Sequence, residues 1–242
     1  MSSIVDKRRD VEVEIVSTDK IYIDCASELS IKSITLKKSV QTSAEVFAVC
    51  HYKGVTYLGT CSYAVETIDS DFNIKTLVSL GKGMYAHGIS IHEERIYVLT
   101  SDGGPYSVNV YDLLGQLITK WKKPYSAWDI RLAIVSNQIV VPDYKNQKLT
   151  VCSLSGKVIK HITCPQLSGN KYSPTSTCAV DNNSIIVTDF NTSKVFKVNI
   201  RTEETVWTCN DVAKPEAVAI YRKDYVCVGS KGKISFLNIN TG

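Results

Sequence analysis

YAHGISIHEERIYVLTSDGGPYSVNVYDLLGQLITKWKKP, residues 85–124, is followed directly by YSAWDIRLAIVSNQIVVPDYKNQKLTVCSLSGKVIKHITCP, residues 125–165. Set one above the other, the two lines repeat. Each runs as apolar strand, polar turn, apolar strand, polar loop, alternating strand, a turn closing on glycine, and a last strand. Ile96 and Ile139 open equivalent strands, and Gly115 and Gly156 close equivalent turns. A unit of this kind cannot bury both faces of its own small sheet, so it needs neighbours of the same kind.

The rest of the chain supplies them. Second strands of the repeat begin near Ile21 (IYIDC), Val55 (VTYLG), Ile96 (IYVLT), Ile139 (IVVPD), Ile185 (IIVTD) and Tyr225 (YVCVG). A spacing of about 40 residues is that of a four-stranded propeller blade. Six units predict an all-β fold, a six-bladed β-propeller of antiparallel blades that takes residues 1–242 as one domain. Its blades start near residues 11, 45, 87, 128, 175 and 215. Helical repeats do not fit, because no window holds an i, i+3, i+4, i+7 apolar stripe for three turns. Period-2 alternation recurs instead, as in VNVYD and KVFKV. First strands are short and apolar (VFAVC, GISIH, AVAIY), and fourth strands are more polar, as an outer edge should be to resist pairing with other chains. Both ends are irregular. The first unit has little room for a fourth strand, and the sixth stops after its third. Closure can come from residues 3–7 as the missing edge strand, or from residues 11–16, which would leave five full blades and a hairpin. The chain can also be part of something longer.

Bulk composition narrows the class. The hydrophobic fraction of 44% suits a globular protein and is too high for a disordered one. No apolar run approaches the roughly 18 residues of a membrane span, and MSSIVDKRRDVEVE carries no apolar signal core. The eight cysteines form no CxxC pair and sit mostly inside apolar strand patterns, which predicts free thiols in a cytoplasmic protein without a membrane partner. The net charge of +4 by itself points to no partner.

Charge placement says more. In a propeller, loops joining strand four to the next strand one share a face with loops joining strands two and three. On this face fall Lys37, Lys38, Lys82, Lys122, Lys123, Lys145, Lys148, Lys171, Lys194, Lys214 and Lys231, with fewer acids (Glu28, Asp102, Asp143, Asp189, Asp211). The opposite face is mixed (HEER, RKD, IRTEE). Aromatics interleave with the lysines: Tyr63, Tyr85, Tyr106, Tyr125, Tyr144, Tyr172 and Phe190. Basic groups neutralise phosphates and flat rings stack on unpaired bases, so the pattern suits single-stranded RNA. It also suits a protein or peptide partner, which needs no special chemistry. Arginine, the better bidentate reader of phosphate and base, is nearly absent from the face. Trp128 is either an axis-facing binding aromatic or a wedge between blades. The insert CPQLSGNKYSP, 164–174, is the longest loop on this face and a candidate contact loop. The expected ligand face is therefore Lys82, Tyr85, Lys122, Lys123, Tyr125, Trp128, Tyr144, Lys145, Lys171, Tyr172, Lys194 and Lys231.

Catalytic patterns are weak, and the expectation is a non-enzyme without cofactor or metal. His51, His87, His92 and His161 are scattered over different blades, whereas a zinc site needs them convergent. Ser62, Ser101 and Ser126 have no identifiable His and acid partners. Asp129 and Glu216 fall at the channel mouth, without the asparagine set of a calcium-dependent lactonase. GKGMYAHG is a loop with no following helix, not a phosphate cradle.

Two stretches, IVVPDYKNQKLTVCSLSG (139–156) and IIVTDFNTSKVFKVNIRT (185–202), resemble the NHL repeats that end many tripartite-motif proteins. The blade openings AHGIS and KPEAVAI keep part of that family's Pro–x–Gly start. The resemblance covers roughly residues 10–242 and implies a binding platform for RNA or protein. In longer parent chains it is attached to ubiquitin-ligase modules. These residues hold no RING or B-box zinc pattern, so ligase activity would not reside in them.

Overall fold

Three tight hairpins explain how the inner strands start. The pairs Lys53–Gly54, Glu93–Glu94 and Ser136–Asn137 all have both residues at positive φ, between 47° and 80°. This is the primed two-residue turn whose twist matches that of the flanking strands. In the computed structural model the described residues are 22–24, 42, 44–103, 106–122, 131–143, 146–163, 174–222, 224–230 and 233–239. No helix among them is long and apolar enough to cross a membrane.

They form five four-stranded sheets. After β1 (Tyr22–Asp24), blade one is β2 (Val46–Tyr52), β3 (Val55–Thr60), β4 (Ala64–Ile68) and β5 (Ile74–Ser79). Blade two is β6 (Tyr85–His92), β7 (Arg95–Ser101), β8 (Ser107–Asp112) and β9 (Leu117–Lys122). Blade three is β10 (Ala133–Val135), β11 (Gln138–Asp143), β12 (Lys148–Ser153) and β13 (Val158–Ile162). Blade four is β14 (Pro174–Ala179), β15 (Ser184–Asp189), β16 (Lys194–Asn199) and β17 (Thr205–Cys209). Blade five is β18 (Pro215–Arg222), β19 (Tyr225–Ser230) and β20 (Lys233–Asn238), with β1 on its outer edge.

The fold is thus an all-β propeller of five blades, which corrects the expectation of six. The stretch read as the second strand of a first blade, IYIDC, instead supplies β1. It runs parallel to β20 with Tyr22 opposite Lys233 and Asp24 opposite Ser235. The physical reason is an open edge. Without a fourth strand β20 would present a row of unpaired N–H and C=O groups, and β1 takes them. The two other closing segments considered, 3–7 and 11–16, lie outside the described residues, as does the predicted blade start near residue 11.

Period-2 alternation builds the core between blades rather than within them. In β7, Ile96 and Val98 pack towards blade one, with Ala48, Tyr57 and Val65. Tyr97 and Leu99 pack the other way, with Ile139, Val141 and Cys152 of blade three. Val140 of β11 then joins Ile185, Val187 and Phe196 of blade four. Ile186 of β15 joins Val218, Val226 and Val228 of blade five. Second strands read apolar on both phases because both faces are covered, and each such side chain stabilises by about 1.5–3 kcal/mol.

Two further devices lock neighbours together. On the hairpin face, Lys53 Nζ donates to Glu94 Oε1 (2.5 Å), His92 Nε2 meets Asn137 Oδ1 (2.6 Å), and the Ser136 hydroxyl donates to the Asn182 carbonyl. Each tip therefore holds the next. At the rim, the outer strand of one blade lies on the turn of the following one: Leu77 over Gly115 and Trp121 over Gly156. Both glycines have φ above +80°, and neither has space for a Cβ.

Candidate functional site

Four first strands carry a bulge at their beginning. Register shifts between Val46 and Ala48, Ala86 and Gly88, Pro174 and Ser176, and Pro215 and Ala217. The extra residues are Phe47, His87, Thr175 and Glu216. A bulge re-aims a side chain away from the ladder. These four therefore occupy one repeated position at the start of the innermost strands, on the face shared by the four-to-one and two-to-three loops. The position repeats but the residue does not, so packing does not dictate which side chain stands there.

Blades one and two make an aromatic cluster there. His87 stacks on Phe47 with centroids 5.5 Å apart and planes within 4°. It meets Tyr106 edge-on at 5.2 Å and Tyr85 at 6.0 Å. Tyr85 in turn lies 5.4 Å from Tyr63 and 6.3 Å from Phe47. The hydrogen bond with Tyr63 pushes the Tyr85 hydroxyl above the usual tyrosine range. Phe47, Tyr63, Tyr85 and His87 are half-buried, while Tyr106 is buried. The cluster thus has a packed floor and accessible upper edges.

The imidazole is also held from below. His87 Nε2 lies 2.9 Å from Ser101 Oγ. In blades three and four the end of the second strand ties down its own turn. Asp143 accepts from the Asn146 amide and side chain (3.1 and 2.8 Å), and Asp189 accepts from the amides of Asn191 (3.1 Å) and Thr192 (3.4 Å). In blade two that position turns to His87. This gives Ser101 the histidine partner that the sequence did not reveal. Ser101 is 3% exposed, however, so its hydroxyl cannot reach an incoming carbonyl. The contact orients the ring against Phe47.

The far side of the mouth is charged. Burial pulls the Arg131 guanidinium below the usual arginine range, and the Glu216 carboxylate opposes this. Thr177 Oγ1 donates to the Arg131 carbonyl (3.2 Å), and Thr175 Oγ1 to the Pro215 carbonyl (3.0 Å), which joins blades three, four and five around the same opening.

Four of the twelve expected ligand-face residues fall on described residues. Tyr85 opens β6 within the cluster, and Lys82 stands exposed in the loop just before it. Lys122 ends β9, exposed, and Lys194 opens β16, half-buried. Lys82 and Tyr85 are neighbours, while Lys122 and Lys194 stand on blades two and four. Lys123, Tyr125, Trp128, Tyr144, Lys145, Lys171, Tyr172 and Lys231 lie outside the described residues. Of the acids on this face, Asp143 and Asp189 are fully buried in turn hydrogen bonds. Phe47 and Glu216 owe their positions to bulges, which break the alternation that a sequence reading counts.

No known family's sequence model matches the chain, and no curated protein matches it. Solved structures do. A Bacteroides caccae protein of unknown function superposes with a TM-score of 0.65 at 13% identity, over 82% of this chain and 80% of its own. A catalytically inactive variant of Staphylococcus aureus virginiamycin B lyase, solved with quinupristin, gives 0.58 at 14%, over 83% and 72%. The WD40 β-propeller domain of Doa1 gives 0.55 at 15%, over 79% and 67%. At these identities the likeness carries the fold: the chain is a β-propeller.

Proposed function

We propose that this propeller is a non-catalytic recognition platform that binds a protein or peptide partner on the face of its four-to-one and two-to-three loops. The observation that carries the reading is the ring cluster of Phe47, Tyr63, Tyr85, His87 and Tyr106. Half-buried tyrosine and phenylalanine rings are among the residues enriched in the cores of protein interfaces, and the exposed Lys82 beside them suits a polar rim. The fold is compatible with it, as for the WD40 β-propeller domain that the chain resembles, but a fold alone assigns no partner, and the site carries the reading. A non-catalytic role is supported by the burial of Ser101 beneath His87. A cytoplasmic setting is supported by the free thiols of Cys50, Cys61, Cys152, Cys178, Cys209 and Cys227.

Single-stranded RNA is the second reading, in line with the resemblance to NHL repeats, and the exposed Lys82 and Lys122 favour it. The rings weigh against it, since Phe47 spends one face on His87 rather than offering it to a base. Panning a displayed random-peptide library on the protein and on Tyr85→Ser tests the first reading. Sequences should enrich on the former and not on the latter, and equal enrichment would refute it. A random single-stranded RNA pool at low salt tests the second. Retention lost in Lys122→Glu/Lys123→Glu supports RNA, and no retention removes it.

A further inference from the structure

Just after the bulge stands a residue of the innermost strand that faces the next blade. In blades one, two, four and five it is Ala48, Gly88, Ser176 and Ala217. Ser176 shows the direction, since its Oγ accepts from the Val218 amide of blade five (3.3 Å). First strands crowd round the channel, and small residues suit them. Counting back from Ala133, which pairs with Val140, the same place in blade three is Arg131. Blade three therefore sets a long cation where the other blades set almost nothing.

Arg131 is half-buried. Its carbonyl accepts from Thr177 Oγ1, but among the described residues its guanidinium makes no hydrogen bond or ion pair. The charge it feels is the Glu216 carboxylate, which stands exposed on the bulge of blade five. Blade four lies between the two, so they face each other across the channel mouth without pairing. A guanidinium stays charged and carries its N–H donors in a planar fork. Holding it half-buried and unpaired costs stability that a small residue would not. A position that breaks the packing rule of its own repeat at such a cost is expected at a functional site.

We propose that Arg131 takes the side-chain carboxylate of an aspartate or glutamate in the peptide partner, across the mouth from the aromatic cluster. This rests on the platform reading above. A carboxylate meets a guanidinium through two parallel hydrogen bonds, which no neutral side chain matches. Glu216 limits the charge of the guest. A single negative group is balanced by Arg131, whereas the second charge of a phosphate would meet the Glu216 carboxylate unbalanced. An extended chain advances about 3.3 Å per residue, so a short peptide reaches both the rings and the guanidinium.

The probe is a displayed random-peptide library whose members are fused at their C-terminus, so that any enriched acid is a side chain. Panned on the full chain, it should return Asp or Glu at a fixed spacing from an apolar or aromatic residue. The leading sequence, made as a fluorescein-labelled peptide and followed by anisotropy, should lose about tenfold in affinity when that acid becomes its amide. Arg131→Gln should cost the acidic peptide a similar factor and leave the amide peptide unaffected, so the two losses do not add. Glu216→Gln should tighten the acidic peptide by about threefold or less. Phosphoserine in place of the acid should bind no more tightly. Enrichment without an acid would overturn the proposal and leave the platform standing, while no enrichment at all removes both. Equal affinity for acid and amide, tighter binding of phosphoserine, or retention of a random single-stranded RNA pool that Arg131→Gln abolishes would each overturn it as well. The acid–amide comparison uses the unaltered protein, so it decides the question even if Arg131→Gln unfolds the chain.

Discussion

Gly156→Ala should destabilise this propeller through a contact between blades. Gly156 has φ +86°, and a Cβ there would lie 2.3 Å from Trp121 Cδ2 and 2.6 Å from Cε3. Left-handed backbone costs a residue with a Cβ about 1–2 kcal/mol. The overlap with the indole adds about 1–3 kcal/mol. The second contribution is bounded, because Trp121 is only half-buried and its Nε1 is buried without an acceptor among the described residues. Swinging the ring outward returns that N–H to water. The net loss should be about 2–5 kcal/mol, which lowers Tm by roughly 5–15 °C in a domain of this size. Urea unfolding followed by circular dichroism measures it, with a double-mutant cycle as the decisive arm. In a Trp121→Ala background the same substitution should cost only the backbone share, about 1–2 kcal/mol, leaving a coupling of about 1–3 kcal/mol. An identical cost in both backgrounds would refute the reasoning, since the indole would then not be what the Cβ meets.

Other consequences are simpler to state. The Asn73 amide, donating to Asp69, holds that carboxyl below the usual aspartate range. Its stabilisation is therefore complete above the unfolded value of about 3.9 and is lost as pH falls through the folded one. Asp69→Asn should flatten the acid limb of a stability–pH curve, and an unchanged limb would exclude this turn as its source. Burial pushes the Cys178 thiol up to about 12 and the Cys227 thiol to about 11. Their contribution is complete below about pH 8.5 and fades as pH rises through the folded values. At pH 8 both should react with a disulfide reagent on the order of a hundredfold more slowly in native protein than in urea, and equal rates would contradict the burial. Lys53→Met removes the 2.5 Å contact with Glu94, but both side chains are more than 60% exposed. The urea midpoint should therefore hardly move, and a clear downward shift would mean the latch matters beyond its ion pair.

Some of this architecture is plain in the sequence for a physical reason. Strands covered on both faces must be apolar in both phases, so IYVLT, IVVPD and IIVTD stand out and are β7, β11 and β15. Edge strands give weaker signals. Tyr22–Asp24 looked like a second strand because IYIDC has the same alternation as IYVLT. Nothing in a short stretch says which sheet it joins; that depends on which edge lies open, a property of residues more than 200 positions away at β20. The blade count therefore turned on a strand whose pairing is, alone among the described strands, non-local. β9 departs from expectation in another way. An outer strand should be polar, yet Leu117 and Ile118 are about half exposed, and that anomaly borders a rim cleft between blades one and two.

The mouth shows how a repeated scaffold hides its site. Loop lysines and tyrosines can be assigned to a face by counting strands, and Tyr63, Tyr85 and Tyr106 do meet there. Phe47 and His87 could not be found by counting. Each occupies the extra residue of a bulge, and inserting one residue reverses the inward and outward phase that the count relies on. Once the bulges are aligned, the comparison across blades becomes informative. The second-strand terminus caps its own turn as Asp143 and as Asp189, whereas as Ser101 it braces His87. A repeat keeps the residues that packing requires at every copy. Where geometry recurs but chemistry does not, packing is not what selects the residue. By that criterion the positions from Phe47 and His87 round to Glu216 are ones whose residues packing does not dictate, which is why the proposed binding face is placed there.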